Sequence, residues 1–168
     1  KQHPQLDRDA SGKIVWAWKK GAWPLVETDQ EALVKSGHLK PDETWYRARD
    51  EQGNRVLMHS GTTAWNPYRK KWILVSMQQF GSPSGLGEVW YAESDQPHGP
   101  FERAVKVVSH NSYTFYNVVH HPDLDQQGGR LIYFQGTYTN QFSGNPDMTP
   151  RYDYNQIMYR LDLADPRL

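Results

Sequence analysis

Two stretches of this chain match each other in order, and that repeat limits the fold more than any other feature. Trp65-Asn66-Pro67-Tyr68 is paralleled 55 residues later by His120-His121-Pro122-Asp123. Each follows a strand-like run and opens a turn. Each turn leads, behind a basic residue, into a hydrophobic strand: Lys71-Trp72-Ile73-Leu74-Val75 and Arg130-Leu131-Ile132-Tyr133-Phe134. Each strand then meets a long Gly/Ser/Pro-rich loop, 81–87 and 139–150, and a third strand follows, Val89-Trp90-Tyr91 against Ile157-Met158-Tyr159. Each unit ends near a proline, in Gly99-Pro100-Phe101 and Asp165-Pro166-Arg167-Leu168, and Val15-Trp16-Ala17 with Trp23-Pro24-Leu25 echoes the last part. A repeat of about 55–65 residues built from three or four strands predicts β-propeller blades. A β-sandwich with accidental internal similarity is the plainer alternative.

The rest of the pattern is all-β. Short strand-like runs fall at 13–18, 43–48, 55–59, 62–65, 72–77, 88–93, 103–108, 115–119, 130–138 and 156–163, about ten in all. The 13 Gly and 11 Pro supply turns, and Asp50-Glu51-Gln52-Gly53-Asn54 reads as a hairpin connection. One helix is expected, over 29–36, with Thr28 as N-cap, Glu31 three residues on and Gly37 as its stop. With 7 Trp, 10 Tyr and 5 Phe the chain is 13% aromatic, yet its mean hydropathy is −0.85. Aromatic residues suit pleated surfaces and also the flat apolar faces of polar ligands such as sugars.

Charge removes several functions. The 19 Lys+Arg balance 19 Asp+Glu, so there is no basic surplus for sequence-independent nucleic-acid binding or for a polybasic membrane anchor. The apolar runs are too short to span a bilayer. With no cysteine there is neither a disulfide framework nor a thiolate zinc site.

Counted as blades, 61–110 makes one full four-stranded unit. The stretch 111–168 makes a last blade lacking its closing strand, and 1–60 makes a partial blade with a helical loop insertion. Propellers close with about four to eight blades, and this is material for two and a half to three. The expectation is an incomplete propeller, with further N-terminal blades or self-association of copies covering the open arc.

The run Gly87-Glu88-Val89-Trp90-Tyr91-Ala92-Glu93, continuing through Ser94-Asp95-Gln96-Pro97-His98-Gly99-Pro100-Phe101, resembles the five-bladed propeller glycosidases of glycoside hydrolase family 43. Tyr133-Phe134-Gln135-Gly136-Thr137-Tyr138-Thr139 and the tail from Thr149 to Leu163 are similar to related bacterial propeller proteins of unassigned activity. The resemblance covers about residues 55–168. It implies a carbohydrate ligand, a periplasmic or secreted location, and three carboxylates around an axial cavity on inner strands of different blades. A proton donor and a base or nucleophile do that chemistry, and their separation sets inversion or retention. The inner strands here, 62–66 and 115–121, carry no acid, so the main catalytic acids are expected outside this chain. A non-catalytic carbohydrate- or protein-binding propeller is the alternative.

Glu88, opening an aromatic strand behind a Gly-rich loop, is the candidate catalytic carboxylate; a solvated strand-entry glutamate is the competing reading. His59, His120 and His121 stand at or beside inner-strand ends as candidate sugar-hydroxyl partners, although consecutive strand residues face opposite sides. Trp65 and Tyr138 are candidate stacking platforms, as are Tyr116, Trp90 and Tyr91, against a role in the inter-blade core. Asn66 and Asn117 are candidate hydroxyl readers, with turn formation competing at Asn66 before Pro67. No cofactor is expected. An axial calcium beside one of the histidines is the weaker alternative, and Asp123-Leu124-Asp125 lacks the glycine and distal glutamate of a calcium loop.

Overall fold

The computed structural model describes residues 5–17, 19–22, 24–82 and 84–168. The described residues are all-β apart from one helix and three single 3₁₀ turns. Its elements are helix α1 (Glu27–Lys35) and strands β1 (Tyr46–Arg49), β2 (Met58–Asn66), β3 (Lys71–Gln78), β4 (Glu88–Ser94), β5 (Phe101–Ser109), β6 (Thr114–His120), β7 (Leu131–Thr139) and β8 (Asn155–Asp162). They form two sheets. β2 to β5 make an antiparallel meander, and β1 joins its far edge parallel to β5. β6 to β8 make a second meander.

Alternation along the strands decides which faces meet. Ile73, Val75 and Met77 of β3 share a face with Val89 and Tyr91 of β4, and all five are buried. They pack against Phe115, Val118, Ile132 and Phe134 of the second sheet. The intervening residues point the other way, as the two-residue period of a strand requires. Leu74, Trp90 and Ala92 therefore face a second apolar cluster with Trp45, Tyr46, Ala48, Val56 and Phe101. The N-terminal segment thus covers the side of the first sheet that the second sheet leaves open.

β2 and β6, the first strand of each meander, lie side by side and run in the same direction. At the beginning of β6, Phe115 N donates to Leu86 O in the connection between β3 and β4 at 2.9 Å. His120, the last residue of β6, donates its N–H to Thr62 Oγ1 midway along β2 at 3.2 Å. At the end of β2, Asn66 Nδ2 donates to Gly129 O in the connection between β6 and β7 at 2.7 Å. One end of both sheets carries the long connections 79–87 and 140–154 and is here the loop end; the other carries the short connections 67–70 and 121–130 and is the turn end.

The Gly99-Pro100-Phe101 motif has a local cause. A Cβ at Gly99 would sit 2.2 Å from Trp45 O, and the residue's φ of +97° is one that L side chains rarely adopt. The bare glycine lets the chain pass close enough for Phe101 N to donate to Trp45 O, where the β1–β5 pairing begins.

Three local expectations differ from the structure. The runs expected at 55–59 and 62–65 give one strand, β2, and the expected hairpin across 50–54 is reduced to an isolated Arg49–Arg55 bridge, because β1 pairs with β5 instead. Of the strand expected over 13–18, Trp18 lies outside the described residues, as do Trp23 and Pro83, and the rest makes a single bridge between Ile14 and Arg8. The helix begins at Glu27, two residues before the expected start at Asp29. Val26 holds the N-cap place, and Asp29 Oδ2 accepts from Val26 N at 3.2 Å. An acid at the third helical position does that work, so Thr28 and Glu31 fall inside the helix.

Candidate functional site

The strands carry the residues singled out in the sequence to two separate ends. His59, Tyr138 and Glu88 lie at the loop end, and Trp65, Asn66, His120 and His121 at the turn end. His59 and Trp65 are six residues apart on β2, about 20 Å of extended chain, so no single sugar ring reaches both. Among the described residues no hydrogen bond, ion pair or ring contact joins Glu88, His59 and Tyr138.

Glu88 is wholly buried at the start of β4. Its Oε2 lies 2.8 Å from Lys106 Nζ, and its Oε1 accepts from Ser109 Oγ at 2.8 Å. Lys106 in turn stands 5.2 Å over the Trp90 ring. These contacts fix the carboxylate as one half of an ion pair between β4 and β5. His59 is exposed. Tyr138 is half-buried, its ring 5.3 Å from His110 and 5.2 Å from Tyr113.

At the turn end Asn66 is wholly buried and uses both ends of its amide. Beyond its bond to Gly129, its Oδ1 accepts from Arg69 N at 2.8 Å. The turn and the tie to the second sheet occupy it. His120 is buried, with Nε2 at 2.9 Å from Asp125 Oδ1. His121 donates its backbone N–H to Tyr133 O at 2.9 Å. Trp65 is half-exposed and stands edge-on to Trp72 at 5.9 Å. A cavity of about 370 Å³ at this end holds Arg69, Tyr91 and Glu93. Glu93 Oε1 accepts from the Tyr91 hydroxyl at 2.6 Å and from Arg69. Burial raises the Tyr91 pKa, and the Glu93 carboxylate raises that of Arg69. The charges there satisfy one another, and of the residues singled out above only Tyr91 lines the cavity, its hydroxyl held by Glu93. Among the described residues no three His, Asp or Glu side chains converge as metal ligands.

The most exposed apolar chemistry is at the loop end. Phe80 is 75% exposed and Phe142 73% exposed, with Tyr154 at half exposure. Tyr116 forms the hub, since Phe142 meets it edge-on at 6.2 Å and Tyr154 at 5.9 Å. The Tyr116 and Tyr154 hydroxyls touch. Asn117, next to Tyr116, is exposed at a bulge in β6 with φ of +57°. Rings left in water forfeit the apolar burial that a core position would give. Sequence reasoning named Tyr116 and Asn117 but missed Phe80, Phe142 and Tyr154. The repeated Gln-Phe pair, Gln79-Phe80 and Gln141-Phe142, was the available signal.

Compared with known proteins, the chain matches no family model, no curated protein and no solved structure.

Proposed function

We propose that the chain supplies neighbouring blades of a five-bladed, glycosidase-like β-propeller and binds carbohydrate at its loop end. The side-by-side, same-direction placement of β2 and β6 supports the blade reading, because blades arranged around a channel bring their first strands together there. The exposed cluster of Tyr116, Phe142 and Tyr154 carries the functional reading. Flat rings offer an apolar face to the C–H face of a sugar, and the tyrosine hydroxyls and the Asn117 amide stand beside them to meet its hydroxyls.

In this reading the chain holds sugar, and it does not by itself break the glycosidic bond. Neither β2 nor β6 carries an acid, and Glu88 is committed to Lys106 and Ser109. The acid and base that hydrolysis needs belong to other blades. The same observation favours the second reading, a propeller module that binds carbohydrate without cleaving it.

Affinity electrophoresis of the chain in native gels cast with xylan, arabinan, galactan or β-glucan tests the proposal. At least one of these neutral polymers should retard it, and Tyr116→Ala should weaken that retardation. Free migration in every polymer would overturn the carbohydrate reading.

A further inference from the structure

The two long connections repeat one feature residue by residue. Phe80 follows the end of β3 by two residues and Phe142 follows the end of β7 by three. A glutamine precedes each, and small residues follow, Gly81-Ser82 in one loop and Ser143-Gly144 in the other. Phe80 has φ of +60° and Phe142 has φ of +61°. Both rings stand about three-quarters exposed. The loops abut, since a Cβ at Gly85 would lie 3.8 Å from Phe142 O.

A left-handed backbone suits glycine and strains a residue with a Cβ. Of the non-glycine residues that adopt it, three are aromatic, Phe80, Phe142 and Tyr154, and the two phenylalanines do so at matching places in the two loops. The strain aims each ring outward, where it buries little against its own fold. Backbone strain and exposed apolar surface held together in this way mark a binding surface. Neither 79–87 nor 140–146 contains a charged residue, and the rest of the second loop, 147–154, carries Asp147, Arg151 and Asp153, with no surplus of cations. A phosphate-bearing ligand or an anionic membrane surface would call for cations there. Amides and hydroxyls beside open rings fit a neutral polyol.

We propose that Phe80 and Phe142 are successive stacking platforms, and that the ligand is a neutral polysaccharide chain running across both sheets. This rests on the carbohydrate reading and names its substrate class. Packed sheets stand about 10 Å apart, so platforms on their matching loops meet different sugar rings of one chain. A mono- or disaccharide engages one platform at most.

Calorimetry on the full chain tests this, with the disaccharide and hexasaccharide of whichever of xylan, arabinan, galactan or β-glucan retards it most. The hexasaccharide should bind at least tenfold more tightly than the disaccharide. Phe80→Ala and Phe142→Ala should each weaken hexasaccharide binding about tenfold, and Phe80→Trp should restore it. Circular dichroism identifies any variant that fails to fold, and the Trp replacement reads the Phe80 platform independently of such a failure. Equal affinity for the two lengths would overturn the proposal and leave the carbohydrate reading standing. The same holds if Tyr116→Ala abolishes binding while both phenylalanine variants keep it. Absence of binding to all four polymers would overturn both.

Discussion

Lys106 Nζ lies 2.8 Å from Glu88 Oε2 on the neighbouring strand, and it gets there by passing over the face of Trp90. Glu88 has no exposure of its own, while the Lys106 side chain keeps 40%. Glu88→Gln keeps the shape and removes the charge. The loss should be about 2 kcal/mol, below the ~3–5 kcal/mol of a wholly buried pair because Lys106 still reaches water. Urea unfolding measures it. Polysaccharide retardation should be unchanged, and its loss in a variant of normal stability would return Glu88 to the sugar site.

Asn66 ties the two sheets together through its amide. Asn66→Ala leaves Gly129 O and Arg69 N without their partner in a buried turn. Unsatisfied buried groups lead to an expected loss of about 1–3 kcal/mol. Asn66→Asp should fare little better, because a carboxylate cannot donate to the Gly129 carbonyl. Unfolding midpoints of the two variants check both expectations.

Stability should fall on acidification through His110. The Gly87 carbonyl can only accept, so His110 Nδ1 carries the proton and donates to it at 2.9 Å. Nε2 then accepts from the Tyr159 hydroxyl at 2.9 Å. Burial lowers the His110 pKa below its ordinary value. The unfolded chain therefore takes up this proton first as pH drops below about 6.5, and stability decreases from there down to the folded-state pKa. Above about 6.5 this group contributes no slope. The difference between the native chain and His110→Phe, measured by urea midpoints at pH 7.5 and 5.5, isolates it. The variant should show the shallower pH dependence.

Phe80→Gly should leave the fold intact and raise the melting temperature by up to about 3 °C. Relief of the left-handed strain outweighs the extra freedom glycine gives the unfolded chain. Sugar binding should weaken in the same protein. A large drop in melting temperature would mean that the ring does pack against the fold.

The strands from β3 to β8 were legible because each holds a local run of apolar residues between turn formers, whereas β2, polar and interrupted by Gly61, was expected as two separate runs. The runs expected at 72–77, 88–93 and 115–119 sit within β3, β4 and β6. The helix was legible in kind, and its start was misplaced because Asp29 accepts from the N-cap N–H, the role expected of Glu31, with Val26 in the cap place expected of Thr28. The parallel pairing of β1 with β5 left no local mark, since its partner lies far along the chain. The site was less legible than the fold. Residue type singled out Asn66 and His120, but burial and hydrogen bonding occupy both in holding turns. Type also passed over Phe80 and Phe142, whose meaning lies in backbone angle and exposure.

The late partner of β1 has a consequence for synthesis. Arg47 and Glu102, bonded across the β1–β5 edge, are 55 residues apart. At about 5–20 residues per second, a nascent β1 waits roughly 3–11 s before its partner strand is made. During that interval the strand is a bare edge of four residues. Arg47 and Arg49 place a positive charge at every second position of it, the composition that deters pairing with the wrong strand. Arg47, which later binds Glu102, thus helps protect the segment on the ribosome before the fold that needs it exists.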